Sequence, residues 1–330
     1  MLDALKTIVD QAIYIPSPSF TEKKLPSQDG KVFIVTGGYQ GLGLALVKLL
    51  YSQPSACTIY IASRSQAKYD TALSELKRLY PNSHSRIEFL KLDLADLSTI
   101  RASAEEFMRR EKRLDVLTNN AGLMNPPIGS TTAQGLELQM GTNCVGTMFF
   151  TECLLPVLKS TVKIAAEGSV RVTWASSILA YAKAPKGGVA WDDDGSPKVW
   201  GLDDVDYGQS KAGSVFLARE AAARWKEHGI VSVSWNPGNL KTTYYQSLSL
   251  YGKIKMWPTM FDPVLGAYTE LYAGWSPDIN LDSSGAFIIP WGRIWKQRAD
   301  IENSMTTGGS EANTTAEKFW DWCSNQAKEF

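Results

Sequence analysis

Lys31-Val32-Phe33-Ile34-Val35-Thr36, followed by Gly37-Gly38-Tyr39-Gln40-Gly41-Leu42-Gly43, is the stretch on which the fold turns. Its first half is apolar without alternation, which suits a short strand covered on both faces, as in a parallel sheet. The glycines that follow allow a tight turn, and Leu42 to Leu50 then carries apolar residues at helical spacing. The unit repeats along the chain. Strands are predicted at Cys57–Ala62, Ile87–Leu92, Leu114–Thr118, Ser169–Ala175, Ile230–Trp235 and Ala286–Pro290. Helices are predicted between them at Ala67–Tyr80, Ser98–Lys112, Gly135–Lys159 and Tyr207–His228, the long Gly135–Lys159 segment beginning as one piece or two. Strand alternating with helix at this spacing predicts an α/β protein with a Rossmann-like, doubly wound parallel sheet.

A glycine-rich turn between a buried strand and a helix can hold a dinucleotide. Gly37 permits the turn, Gly41 and Gly43 let backbone approach a pyrophosphate, and the helix N-terminus offers it free N–H groups. The end of the second strand discriminates between the two nicotinamide dinucleotides. An acidic residue there would bind a ribose 2′-hydroxyl and repel a 2′-phosphate. This chain has Ser63-Arg64-Ser65 instead, a charged planar fork between two hydroxyls, which predicts NADP(H). The other reading of Arg64 is a solvated surface arginine. Asp93-Leu94, after the third strand, falls where an adenine would sit, although an Asp leading a helix is an equally ordinary feature.

Tyr207 and Lys211 are one helical turn apart, so their side chains leave the same helix face. A phenol loses its proton near pH ~10, and a neighbouring ammonium favours the phenolate. Such a tyrosine can exchange a proton with a substrate oxygen near neutrality. Joined to a dinucleotide cradle, the pair implies hydride transfer to or from a carbonyl carbon.

The bulk composition excludes several other classes. The chain has 330 residues, 44% hydrophobic and 21% charged, with Lys+Arg and Asp+Glu both at 34. That balance gives no attraction for nucleic acid. Cys57, Cys144, Cys153 and Cys323 lack metal-ligand spacing and read as reduced thiols; with only two histidines, no metal is expected. No apolar run reaches the ~20 residues of a membrane span. The N-terminus lacks the features of a signal peptide, so the expected compartment is the cytoplasm.

Taken in order, TGGYQGLG at Thr36–Gly43, Asn119-Asn120-Ala121-Gly122, Asn143 within GTNCVGT, Ser176-Ser177, Tyr207-Gly208-Gln209-Ser210-Lys211 and Pro237-Gly238 resemble a short-chain dehydrogenase/reductase from about Lys31 to Thr243. Ser63-Arg64-Ser65 and the long Ser177-to-Tyr207 interval are similar to the retinol dehydrogenase and protochlorophyllide reductase branch. The leader FTEKKLPSQDGKVFIVTGG and the segment NPGNLKT are similar to fungal members, many of them tailoring enzymes of secondary metabolism. The resemblance implies Tyr207 as general acid in reduction and base in oxidation. It implies that Lys211 tunes Tyr207 and binds the nicotinamide ribose, and that Ser177 bonds the substrate oxygen. Asn143 would hold a helix distortion and a water leading to Lys211. Gly37, Tyr39, Gln40, Gly41, Leu42, Gly43, Arg64, Asp93, Leu94, Asn120, Ala121, Gly122, Pro237, Gly238 and Thr242 would line the cofactor. Ser176 competes with Ser177; strand alternation points the two in opposite directions. The Ser177-to-Tyr207 interval is longer than in most of the family.

The segments outside this pattern read as follows. Residues 1–30 form an amphipathic helix and an extended leader, the helix packing on the domain or on a partner subunit. Residues 31–305 form the dinucleotide-binding domain, with an insertion at 178–206 and a lid at 244–268, and residues 306–330 form a helical tail. The lid's Tyr, Met and Trp side chains suit a bulky apolar ketone, aldehyde or alcohol such as a polyketide or terpenoid intermediate; they also suit a small core of the lid itself. A homodimer is left open, because an insertion of this kind can cover a dimerisation surface. The rival reading is an NADP(H)-binding sensor or scaffold without turnover, a class that usually loses the tyrosine or lysine kept here.

Overall fold

The computed structural model describes residues 2–241, 259–306 and 314–330. Eight strands form one sheet: β1 Val32–Thr36, β2 Thr58–Ser63, β3 Arg86–Lys91, β4 Val116–Asn119, β5 Arg171–Ala175, β6 Val231–Trp235, β7 Phe287–Ile289 and β8 Arg293–Trp295. Their spatial order is β3-β2-β1-β4-β5-β6-β7-β8. The first seven pair in parallel, and β8 closes the edge antiparallel to β7. This is the Rossmann-like, doubly wound arrangement that the alternating pattern predicts. The order reverses between β1 and β4, which opens a crevice at the C-terminal ends of those strands.

Alternation along the strands feeds two cores. Ile34, Leu117, Val172 and Trp174 face the helices Leu97–Arg110, Leu138–Cys153 and Asp203–Trp225. Phe33, Val35, Val116, Val233 and Trp235 face the opposite layer, which contains Gly41–Tyr51 and Pro263–Trp275. β1 is buried along its whole length, which is why it reads as an uninterrupted apolar run.

The Gly135–Lys159 segment, read as one helix or two, starts later at Leu138, divides at residue 154 and runs on to Val162. Gly135 lies in a turn with φ of 80°, and Glu137 caps the start at Leu138 by accepting from the N–H groups of Gln139 and Met140 at 2.9 and 2.6 Å. The helix ends at Cys153, and Leu155–Val162 continues at an angle of 52°. Pro156 explains the break, since its ring displaces the carbonyl four residues earlier and it has no N–H to donate. Among the described residues no single helix is long and apolar enough to cross a membrane.

Helix Thr315–Ala327 begins with a capping box, Thr314 and Glu317 each bonding the other's backbone N–H. It sets Phe319, Trp320 and Cys323 against Asp203–Trp225. A Cβ on Gly213 would lie 2.7 Å from the Phe319 ring, so that glycine permits the close approach. Phe319 is fully buried and meets Phe216 edge-on at 6.1 Å. Phe319→Ala should therefore cost about 3–5 kcal/mol of stability in urea unfolding; a loss below ~1 kcal/mol would separate this helix from the cooperative core.

Within the 178–206 segment, Ile178–Ala182 is a short helix. The chain beyond it is fastened by Arg298, which donates to the carbonyls of Tyr181, Ala184 and Pro185 at 2.9, 3.0 and 2.6 Å. Asp300 accepts from the Gly187 N–H at 2.7 Å and pairs with Arg298. Of the expected lid, residues 244–258 lie outside the described residues, as do 307–313 of the tail.

Candidate active site

The crevice holds a cavity of about 580 Å³. Its floor is the turn from β1 into helix Gly41–Tyr51. Gly37 and Gly41 have φ of 68° and 56°, the left-handed region where a Cβ is costly. A Cβ on Gly43 would stand 2.5 Å from Asn120 Nδ2 and 2.9 Å from the Gly37 carbonyl. The turn therefore presents bare backbone to the cavity, a surface on which a pyrophosphate can rest. Thr36 and Asn120 fix its geometry across the switch point. The Ala121 N–H donates to Thr36 Oγ1 at 2.8 Å, and Asn120 Nδ2 donates to the Thr36 carbonyl at 2.8 Å.

The opposite wall is the start of helix Asp203–Trp225. Asp203, Asp204 and Asp206 lie in its first turn, where negative charge complements the helix dipole. Asp206 also holds the incoming chain, accepting from the N–H groups of Trp200 and Leu202 at 2.8 and 3.0 Å. Tyr207 and Lys211 follow on one face, both lining the cavity, with Lys211 Nζ 5.5 Å from the Tyr207 ring centroid. Lys211 Nζ donates to the Ala175 carbonyl at 3.1 Å. Burial lowers the Lys211 amine to about 8, with Cys144 opposing weakly.

That shift has a consequence for stability. Between about pH 8 and 10.5 the unfolded chain keeps a proton on Lys211 that the folded protein has shed, so this group makes stability rise with pH. The penalty for the buried ammonium is complete below about 8. Lys211→Met should thus gain on the parent by on the order of 3 kcal/mol near pH 7, an advantage that shrinks as pH approaches 10. Thermal melts of the cofactor-free proteins across that range check it; a difference independent of pH would remove Lys211 as the cause.

Asn143 lies in a π-helical turn, Gly141–Gly146, inside helix Leu138–Cys153. Its Oδ1 accepts from the Leu123 N–H at 2.9 Å, and its Nδ2 donates to the Leu123 carbonyl at 3.1 Å and to Ser210 Oγ at 3.0 Å. The amide thus ties the segment after β4 to the Tyr207 helix. Gly122 fits beneath it, where a Cβ would approach Lys211 Nζ to 3.0 Å and Asn143 Oδ1 to 3.1 Å.

The two serines are separated by their bonding. Ser176 is buried and donates to the Lys211 carbonyl at 2.9 Å, so its proton is committed to holding the helix. Ser177 is half-buried and caps Ile178–Ala182 by accepting from the Leu179 N–H at 3.2 Å, which leaves its own O–H able to donate.

Gly37, Tyr39, Gln40, Gly41, Leu42, Gly43, Asn120, Ala121, Gly122, Ser177, Tyr207, Lys211, Pro237 and Gly238 all line the cavity. Asn143 stands behind Lys211. Arg64, Asp93 and Leu94 do not line it. Arg64 is exposed at the end of β2, Asp93 accepts from the Ala95 N–H at 3.0 Å, and Leu94 is buried. Thr242 lies outside the described residues. Sequence reasoning missed Lys68, whose Nζ is 5.3 Å from the centroid of Tyr39 and so brings a second cation to the rim. Its i+4 spacing from Arg64 was the available signal. Of the apolar wall, Met124, Met260 and the insertion's Ile178 and Leu179 fall in loops expected to meet the substrate, and Leu123 and Leu240 complete it.

The short chain dehydrogenase family profile matches residues 31–188. A short-chain dehydrogenase/reductase of Pestalotiopsis fici is 43% identical over 324 residues, covering 96% of this chain and 97% of that one. The chain belongs to the short-chain dehydrogenase/reductase family. Family members from Phomopsis amygdali and Emericella nidulans are 39% and 40% identical, covering 96% and 95% of the chain and 96% and 97% of their own lengths. Among solved structures, the fold is similar to RhlG of Pseudomonas aeruginosa in an NADP active-site complex. That match has a TM-score of 0.62 and 21% identity, covering 79% of this chain and 95% of that one. The cavity is thus placed at the crevice of a short-chain dehydrogenase/reductase fold, with the matched segment supplying its floor.

Proposed function

We propose that this short-chain dehydrogenase/reductase uses NADP(H) to interconvert a ketone or aldehyde and an alcohol on a bulky apolar substrate, with Tyr207 as acid and base. The observation that carries the proposal is the shared cavity, in which Tyr207, Lys211 and Ser177 face the bare backbone of Gly37–Gly43. The residues fit a dinucleotide. The glycine turn would take the pyrophosphate, Asn120–Gly122 and Lys211 the ribose beside β4, and Pro237–Gly238 the nicotinamide end. Arg64, flanked by Ser63 and Ser65 and joined by Lys68, supports a 2′-phosphate partner at the end of β2. When bound, the nicotinamide supplies or accepts the hydride.

The chain's own groups handle the oxygen. A carbonyl being reduced gathers negative charge on oxygen, and the Tyr207 phenol and Ser177 hydroxyl would both donate to it. Tyr207 then gives up its proton, and in the oxidative direction it takes one. Lys211 in its charged form favours the deprotonated tyrosine. Asn143 keeps Lys211 and the segment after β4 in register. The six apolar wall residues exclude water and favour an apolar substrate. Together with the resemblance to fungal tailoring enzymes, they support a polyketide or terpenoid intermediate.

The test is absorbance of the nicotinamide band with purified protein, NADPH or NADH, and a panel of aromatic and terpenoid ketones and alcohols. Ketone-dependent oxidation of NADPH is the expected result. Tight NADPH binding without turnover across the panel would favour a sensor, and absence of any dinucleotide binding would end the proposal.

A further inference from the structure

Gln11, near the end of helix Leu2–Ala12, is almost wholly buried. Its Oε1 accepts from Asn236 Nδ2 at 2.8 Å. Asn236 Oδ1 in turn accepts from the Gly238 N–H at 3.0 Å. The backbone N–H of Asn236 is held by the Ile288 carbonyl at 2.8 Å, so the free variable at this residue is its side-chain amide, which Gln11 orients. The relay therefore runs from the N-terminal helix to Pro237–Gly238, on the cavity wall. A second fastening lies beside it, Arg293 donating to the Asp10 carbonyl at 2.6 Å. The same helix packs on Ile178–Ala182, whose cap is Ser177. An element that precedes the family-matched segment thus touches two walls of the site.

Gln11 Nε2 is buried without a hydrogen-bond partner among the described residues. Burying an unpaired amide N–H works against stability. A residue with this cost is explained by what its oxygen does for Asn236.

We propose that Gln11 is a positioning residue: through Asn236 it holds the Gly238 N–H, and with it the Pro237–Gly238 turn, in the register that hydride transfer requires. This rests on the oxidoreductase reading of the cavity. Misplacing a reacting group by about an ångström can cost up to ~100-fold in rate. Gln11→Met should accordingly lower kcat by about tenfold or more, with little change in the KM for NADPH, because the phosphate-binding turn at Gly37–Gly43 is untouched. Gln11→Glu keeps an acceptor oxygen at the same reach and should recover most of the rate.

The closing experiment measures amide hydrogen exchange over residues 236–241, thermal melts, and kcat and KM, for the parent, Gln11→Met and Gln11→Glu. Faster exchange at Gly238 in Gln11→Met but not in Gln11→Glu, at similar melting temperature, supports the relay. Parent-like exchange in Gln11→Met overturns it, as does an equal loss of kcat in both variants with a common fall in melting temperature. Exchange is read without cofactor or substrate, so it judges the relay even if the parent reduces no carbonyl, an outcome that would count against the oxidoreductase reading alone.

Discussion

Tyr207→Phe should remove turnover almost entirely, by roughly 100- to 10,000-fold in kcat, while NADPH binding stays close to that of the parent. The substitution deletes one oxygen from a half-buried side chain and leaves the ring in place beside Lys211. Fold and cradle should survive it, because the helix is held by Ser176, Asp206 and the Phe319 face. The loss should appear in kcat and in kcat/KM together, as befits an interaction made in the transition state. Ser177→Ala should cost about 100- to 1,000-fold in kcat, because both donors carry the developing charge; a loss below tenfold would remove Ser177 from that role. Rates in Tyr207→Phe within tenfold of the parent would refute the acid role.

Arg64→Ala should weaken NADPH by about ten- to a hundredfold and leave NADH nearly unchanged, since a charge-assisted hydrogen bond to a phosphate is among the stronger polar contacts. The structure refines the experiment. Lys68 stands one turn along the following helix, beside Tyr39, and can retain part of the attraction. The double variant Arg64→Ala/Lys68→Ala should therefore lose more than Arg64→Ala, and both losses should shrink in high salt. Fluorescence titration with the two dinucleotides reads this directly. A parent that already prefers NADH would overturn the 2′-phosphate argument.

The parts of the fold that were legible in the sequence are those where burial is two-sided. β1 and β2 are covered along their whole length and read as largely apolar runs. β8 was not legible: it has three residues at the sheet edge, Ile294 is half exposed, and so short a run carries no periodicity. The division of the Leu138–Val162 region was written in Pro156, which outweighs the helical spacing around it. In the site, Tyr207 and Lys211 announce themselves because both lie on one helix. The π-helical turn at Gly141–Gly146 has no periodicity signal, and the distortion at Asn143 was expected only from the family resemblance; it accompanies the long-range bonds of Asn143 to Leu123 and Ser210. The same holds for Gln11 and Asn236, whose separation of 225 residues no local spacing can report.

The packing of Phe319, Trp320 and Cys323 behind the Tyr207 helix divides the labour of the site. Tyr207, the proposed proton donor, stands on a helix wedged between the sheet and an aromatic layer, where almost any change of volume is penalised. The facing wall is assembled from short pieces, Ile178–Ala182 and Pro237–Leu240, pinned by individual hydrogen bonds from Arg298 and Asn236. Selection for a new substrate would therefore find its raw material on that second wall, remodelling one pocket surface while the chemistry is inherited intact.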